Sequence, residues 1–183
     1  NPSSDDIART MSHLGDGEVL IGLMTALYAS GEIFDSSSLR KTAVLSLESW
    51  LTASFVVASL KFAAGRARPG ISESSHTFHP FSFRSSYTSF PSGHSASAFA
   101  VATSIACQSK KTYVDILAYG LASVVALSRV HNNRHWASDV FIGSSLGYFI
   151  ARKIYFLDKN RSLSRLNVGF QFSAQNRSLA LGL

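Results

Sequence analysis

The protein has 183 residues, a formal charge of +6 and a hydrophobic fraction of 46%, at a mean hydropathy of +0.14. That length holds one domain with a substantial core. The basic balance points to an anionic ligand or membrane surface, while the absence of like-charge runs and of nucleic-acid motifs excludes nucleic acid. The single cysteine, Cys107, excludes an internal disulfide.

Ser3 or Ser4 caps a first short helix, with Asp5 and Asp6 in its first turn. Ile7, Met11 and Leu14 share one face of it, and Gly15 stops it. Asp16 is placed to cap a second helix, Gly17 to Phe34. Ser36 to Ser38 cap a third, from Leu39 to about Ala64, which Gly65 and Pro69 end. Its apolar positions are dense all round, which predicts a central helix. From Gly70 to Ser89 the chain turns polar and serine-rich, with Phe78, Phe81, Phe83, Arg84, His76 and His79. This loop reads either as a solvated connection or as a lid anchored by its aromatics.

The loop closes on Phe90-Pro91-Ser92-Gly93-His94-Ser95 and opens a helix that runs from Ala96 to about Gln108. Another spans about Tyr113 to Ser128, and a last one about Ala137 to Phe156. In the last helix Gly143 and Gly147, one turn apart, permit close packing on a neighbour. In the tail, Leu166, Val168, Phe170 and Phe172 alternate with polar residues, as do Leu179, Leu181 and Leu183. Ser173 to Arg177 lies between them, which predicts a β-hairpin. The expected fold is mainly α: a compact bundle of about six helices over residues 1–157, with the hairpin in a tail over 158–183.

The apolar runs Val19–Gly31, Ser49–Leu60, Ser95–Ser109, Ile116–Ser128 and Val140–Ala151 all meet charge before about 18 residues, the usual spanning minimum. Asp16, Glu18, Glu32, Glu48, Lys61, Arg129 and Asp139 are the interruptions. By length these are buried helices of a soluble or peripheral bundle, with true spanning helices as the alternative. The chain opens on Asn1 with no initiator Met and no signal-like apolar stretch, as a chain trimmed of a targeting segment would.

Three blocks carry chemistry. At the Pro91–His94 junction a helix N-terminus offers unsatisfied N–H donors and a partial positive charge, a ready anion site. Gly93 lets a ligand approach the backbone, Ser92 adds a hydroxyl and His94 a titratable ring. The second block is Lys61-Phe-Ala-Ala-Gly-Arg-Ala-Arg68-Pro69, and the third runs Ser128-Arg129-Val-His-Asn-Asn-Arg-His135-Trp-Ala-Ser-Asp139. Taken singly, Lys61 is an ordinary helix-end lysine, and Arg68 and Arg129 ordinary surface cations. His131, Arg66 and Arg134 read as supporting or solvated residues, and Trp136 as a wall.

Taken together and in order, the blocks resemble the signatures of the type 2 phosphatidic acid phosphatase and vanadium haloperoxidase superfamily. The matching pattern is Lys, six residues, Arg-Pro; Pro-Ser-Gly-His; and Ser-Arg, five residues, His, three residues, Asp. The resemblance implies that Lys61, Arg68, Ser92, Gly93 and Arg129 cradle a phosphoryl group. His135 would be the nucleophile, oriented by Asp139 and forming a phosphohistidine, with His94 as the acid–base partner. It implies phosphomonoester hydrolysis without metal or cofactor, with vanadate as an inhibitor. The substrates would be lipid phosphates such as phosphatidic acid or isoprenyl phosphates. Alternatives are small soluble phosphoesters or, at this chain length with less support, vanadate-dependent halide oxidation. The expected location is the periplasm or cell envelope, with possible membrane-surface association. The oligomeric state stays open.

Overall fold

The computed structural model of the protein describes residues 2–72 and 74–180. Six α-helices follow one another: α1 Pro2–His13, α2 Gly17–Ile33, α3 Ser37–Ala64, α4 Gly93–Ser109, α5 Thr112–His131 and α6 Ala137–Ala180. One 3₁₀ turn, Ser85–Tyr87, sits in the long loop before α4. The mainly α bundle read from the sequence is therefore the observed architecture.

The centre is α4, not α3. Helix α4 packs against α3, α5 and α6, while α3 buries only one flank, through Ala43, Leu45, Ser49, Ala53 and Val57. Side-chain size explains the inversion. On α4 the buried positions are Ser95, Ala96, Ser97, Ala98, Ala100, Val101, Ala102, Thr103, Ser104 and Ala106, and such mostly small groups let three helices approach one backbone. Gly143 and Gly147 of α6 complete the fit. A Cβ on Gly147 would lie 2.1 Å from the Ala96 carbonyl oxygen, and one on Gly143 would lie 2.4 Å from that of Ser92. The close packing expected of these glycines is thus made against the first turns of α4.

The expected C-terminal hairpin is not formed; α6 continues as helix through Ala180. Leu163, Leu166 and Phe170 also recur at spacings of three and four, so the alternation did not exclude a helix. Ser173 to Arg177 contains neither Gly nor Pro to turn the chain back. Residues 181–183, with the last of the alternating leucines, lie outside the described residues.

For three of the five apolar runs the expectation of short buried helices is corrected, while α4, with 17 residues, is buried as expected. Ser37–Ala64 with 28 residues, Thr112–His131 with 20 and Ala137–Arg161 with 25 are long and apolar enough to cross a membrane. No more than a third of any of these apolar windows is buried inside the bundle. Their outward faces carry Leu51, Phe55, Leu117, Leu127, Phe141 and Phe149, with Phe55 74% and Phe141 71% exposed. An apolar belt on this scale marks a membrane-associated chain. Glu48 and Lys61 look like breaks when runs are counted, but a charge does not end a helix, and both lie inside α3.

Candidate active site

The signature residues converge at one end of the bundle, where α3 ends, α4 begins and the α5–α6 turn crosses. Helix α3 stops at Gly65, whose φ of +59° closes the helix in the left-handed region. A Cβ there would lie 1.7 Å from the His79 carbonyl oxygen, so the position requires glycine. The loop then folds back on itself. His79 N donates to Gly65 O at 2.7 Å, Ala67 N to Thr77 O at 2.9 Å, and Arg68 N to Ser86 O at 3.1 Å. Pinned in this way, residues 65–72 and 74–89 form one wall of the site. The Lys61 ammonium donates to the Thr88 carbonyl, and Arg68 Nη2 donates to Thr88 Oγ1 at 3.1 Å.

Ser92 and Gly93 lie where the resemblance implies, at the start of α4, yet the Ser92 hydroxyl is committed locally. It is fully buried, caps the Ser95 N–H at 3.5 Å and pairs with Ser95 Oγ at 2.8 Å. Gly93 packs beside the Lys61 stem, since its Cβ would lie 3.8 Å from Lys61 Cε. Arg129 lies in the last turn of α5, and its Nε is buried without a hydrogen-bond partner among the described residues. A buried unpaired guanidinium donor is costly, and an anion in the cradle would satisfy it.

His135 is buried, and its Nδ1 lies 2.6 Å from the Ser89 carbonyl oxygen. A carbonyl can only accept, so Nδ1 carries the proton and the Nε2 lone pair of the neutral ring stays free. Burial, and then the nearby charges of Lys61 and Arg68, push the His135 pKa far below its usual value. The ring is held neutral, as an attacking lone pair requires.

Asp139 was expected to hold His135. Its Oδ2 is 4.0 Å from Nδ1, beyond a hydrogen bond. The carboxylate is instead bound by Arg66 Nη1 at 2.5 Å, by Ser89 Oγ at 2.5 Å and by Trp136 N at 3.0 Å. Ser89 joins the two residues: its carbonyl receives His135 while its hydroxyl binds Asp139. Arg66, read from the sequence as supporting or solvated, is the buried counter-charge of Asp139, and its guanidinium lies near the rings of Phe78 and Trp136. Trp136 Nε1 donates to Ala67 O at 2.9 Å and forms the expected wall. A count of charges would have signalled Arg66, because a buried carboxylate inside a cationic cluster needs a dedicated partner.

His94 occupies a different setting. Its Nε2 is 2.8 Å from Asp16 Oδ1, and Asp16 Oδ2 is 2.7 Å from His13 Nδ1. Asp16 stands at the N-cap position of α2 as the sequence suggested, but its side chain makes no cap bond. A polar cleft of about 480 Å³ opens here, lined by Arg9, Ser12, His13, Asp16, His94, Arg129, Asn132 and Arg134.

A family model described as the PAP2 superfamily matches residues 42–162. The chain belongs to this family. It is 41% identical over 71 residues to a lipid A 1-phosphatase of Porphyromonas gingivalis, covering 38% of this chain and 16% of that one. It is 28% identical over 161 residues to a probable diacylglycerol pyrophosphate phosphatase of Schizosaccharomyces pombe, covering 70% of this chain and 58% of that one. The chain thus spans less than two thirds of the curated relatives it matches. Among solved structures, Aquifex aeolicus LpxE superposes with a TM-score of 0.66 at 26% identity, over 84% of this chain and 86% of that one. A transmembrane PAP2-type phosphatidylglycerolphosphate phosphatase from Bacillus subtilis gives 0.69 at 27% identity, over 87% and 79%.

Proposed function

We propose that this PAP2 family member is a metal-independent phosphatase of lipid phosphate monoesters, acting through a phosphohistidine. The observation that carries this reading is the buried, neutral His135, with its Nδ1 proton on Ser89 O and the cations Lys61, Arg68 and Arg129 gathered at the same end of the bundle. In the first step His135 Nε2 attacks phosphorus, and the phosphorus–oxygen bond to the alkoxide breaks with its electron pair on oxygen. His94 gives that oxygen a proton. In the second step His94 takes a proton from water, which attacks the phosphohistidine and releases inorganic phosphate. Lys61, Arg68 and Arg129 stabilise the charge on the equatorial oxygens.

Two features support a lipid over a soluble ester. The site end carries exposed aromatics: Phe81 and Phe83 lie 5.4 and 4.8 Å from the ring of Phe62, the residue after Lys61. Such rings suit the headgroup layer of a bilayer. An apolar groove of about 660 Å³ runs from Val130 and Ala137, flanking the catalytic turn, to Tyr148 and Phe149. It offers an acyl chain a path along α5 and α6. The relatives named for lipid A and diacylglycerol pyrophosphate agree with this substrate class. On this reading the apolar helices span the membrane and the site lies near one of its faces.

The test is phosphate release from phosphatidic acid in detergent micelles with a chelator present. The expected result is turnover that vanadate inhibits and a base-stable, acid-labile phosphoenzyme that His135→Ala abolishes. Activity that survives His135→Ala, or that requires an added divalent ion, overturns the mechanism. Faster turnover of a soluble aryl phosphate than of the lipid overturns the substrate class.

A further inference from the structure

We infer that Asp16, at the α1–α2 junction and outside the matched residues 42–162, is a positioning residue for His94. It would fix the ring so that Nδ1 faces the leaving group. This inference rests on the phosphatase reading above and adds a residue to its acid–base half.

The geometry is specific. Asp16 has the N-cap backbone, with φ −70° and ψ 142°, yet its carboxylate leaves the orphan N–H groups of α2 uncapped. Asp is among the preferred caps, and here it gives up the cap bond. Both carboxylate oxygens instead meet imidazole nitrogens, Oδ1 that of His94 and Oδ2 that of His13. The junction is also built to bring them there. Gly15 is pressed between α4 and α5, where a Cβ would lie 2.6 Å from Val125 Cγ1 and 3.3 Å from the His94 ring. Asn132 Nδ2 ties α1 to the α5–α6 turn by donating to Ala8 O at 3.2 Å.

The chemistry follows from the acceptor. Burial pushes the Asp16 carboxyl up, but the bonds to His13 and His94 outweigh it and hold the pKa below its ordinary value. Asp16 is therefore a carboxylate and only accepts, so His94 Nε2 carries a fixed proton. Proton exchange with substrate and water falls to Nδ1. The charged groups around His94 are Asp16, Arg129 and Lys61, with His13 beyond Asp16 and Arg9 and Arg134 across the cleft. Burial and then the Arg129 charge lower the His94 pKa, while the Asp16 bond raises it. Losing the carboxylate leaves only the lowering influences.

The test compares wild type with Asp16→Asn in detergent, using kcat/KM, which reports the step in which the leaving group departs. Leaving-group protonation matters for an alkoxide and little for nitrophenolate. The variant should lose about 10-fold or more on phosphatidic acid and less than about 3-fold on 4-nitrophenyl phosphate, within the range of general acid catalysis. The alkaline limb should move to lower pH, and Asp16→Glu should restore part of both effects. Asp16→Ser, which can cap α2 without a carboxylate, takes the same test if Asp16→Asn does not fold. Equal losses on both esters with an unmoved limb overturn the inference, as does no loss. Nitrogen NMR of histidine-labelled protein reads it without activity: the neutral His94 ring should carry its proton on Nε2 in wild type, with a titration midpoint that falls in the variant. A midpoint that stays in place overturns the inference even in an active enzyme. An inactive wild type with the expected NMR shift counts against the phosphatase reading alone.

Discussion

The two histidines of the site stand in opposite surroundings. His135 is sealed in, its Nδ1 proton given to a neutral carbonyl, with cations nearby that penalise a second proton. His94 lines an open cleft and gives its Nε2 proton to a carboxylate that favours the charged ring. The difference separates a lone pair kept available from a proton kept in hand. On the proposed function, what the second nitrogen meets would make one copy of this side chain the nucleophile and the other the acid. The carboxylate that sequence spacing assigns to His135 serves instead to order Ser89, and the histidine that does face a carboxylate is the other one.

This contrast can be broken from either side. His135→Ala removes the attacking group and should lower kcat/KM about 10⁴-fold or more in the micellar phosphate-release assay. His94→Gln keeps the cradle but loses proton transfer, so a drop of about 10²- to 10⁴-fold is expected on lipid substrate, with a smaller one on an aryl ester. Arg66→Met leaves Asp139 buried and unpaired, and should cost about 3–5 kcal/mol in detergent unfolding. Adding Asp139→Asn should recover much of that loss, because the stranded charge is then gone. Gly143→Ala should push α6 away from Ser92 and cost about 1–3 kcal/mol, lowering kcat more than it raises KM.

The smallest effect is the pH dependence of the sealed side. The folded-state pKa of His135 lies far below its unfolded value, so below about pH 6.5 the unfolded chain binds the extra proton. This contribution to stability is complete above that pH and is lost as pH falls, at about 1.4 kcal/mol per pH unit. Unfolding of wild type between pH 7 and pH 5 should show this slope, and His135→Asn should flatten it.

The convergence of the signature residues was legible because they sit at short, fixed spacings on helix ends, where local geometry decides position. Lys61, Arg68, Ser92, Gly93, His94, Arg129, His135 and Asp139 all reach one end of the bundle. The Ser36 cap follows an equally local rule. What escaped depends on distant parts of the chain. Asp16 meets His94 across 78 positions and Arg66 meets Asp139 across 73, and no periodicity links such pairs. Helix α3 reads as central because its apolar residues surround it, yet its outer face is turned away from the bundle. The tail shows how an alternating pattern with no Gly or Pro between its halves remains open to helix.

The contact between α4 and α6 has a consequence for how this protein can change over generations. Gly147 rests on the Ala96 carbonyl, and Ser92 N donates to Asp139 O at 2.9 Å, so main chain rather than side chains sets the register of the two helices. Backbone atoms do not drift with substitution. The outward side chains of α5 and α6 can therefore be exchanged without shifting His94 relative to His135. The geometry of the site is inherited through glycine and carbonyl, while the periphery is left free to diversify.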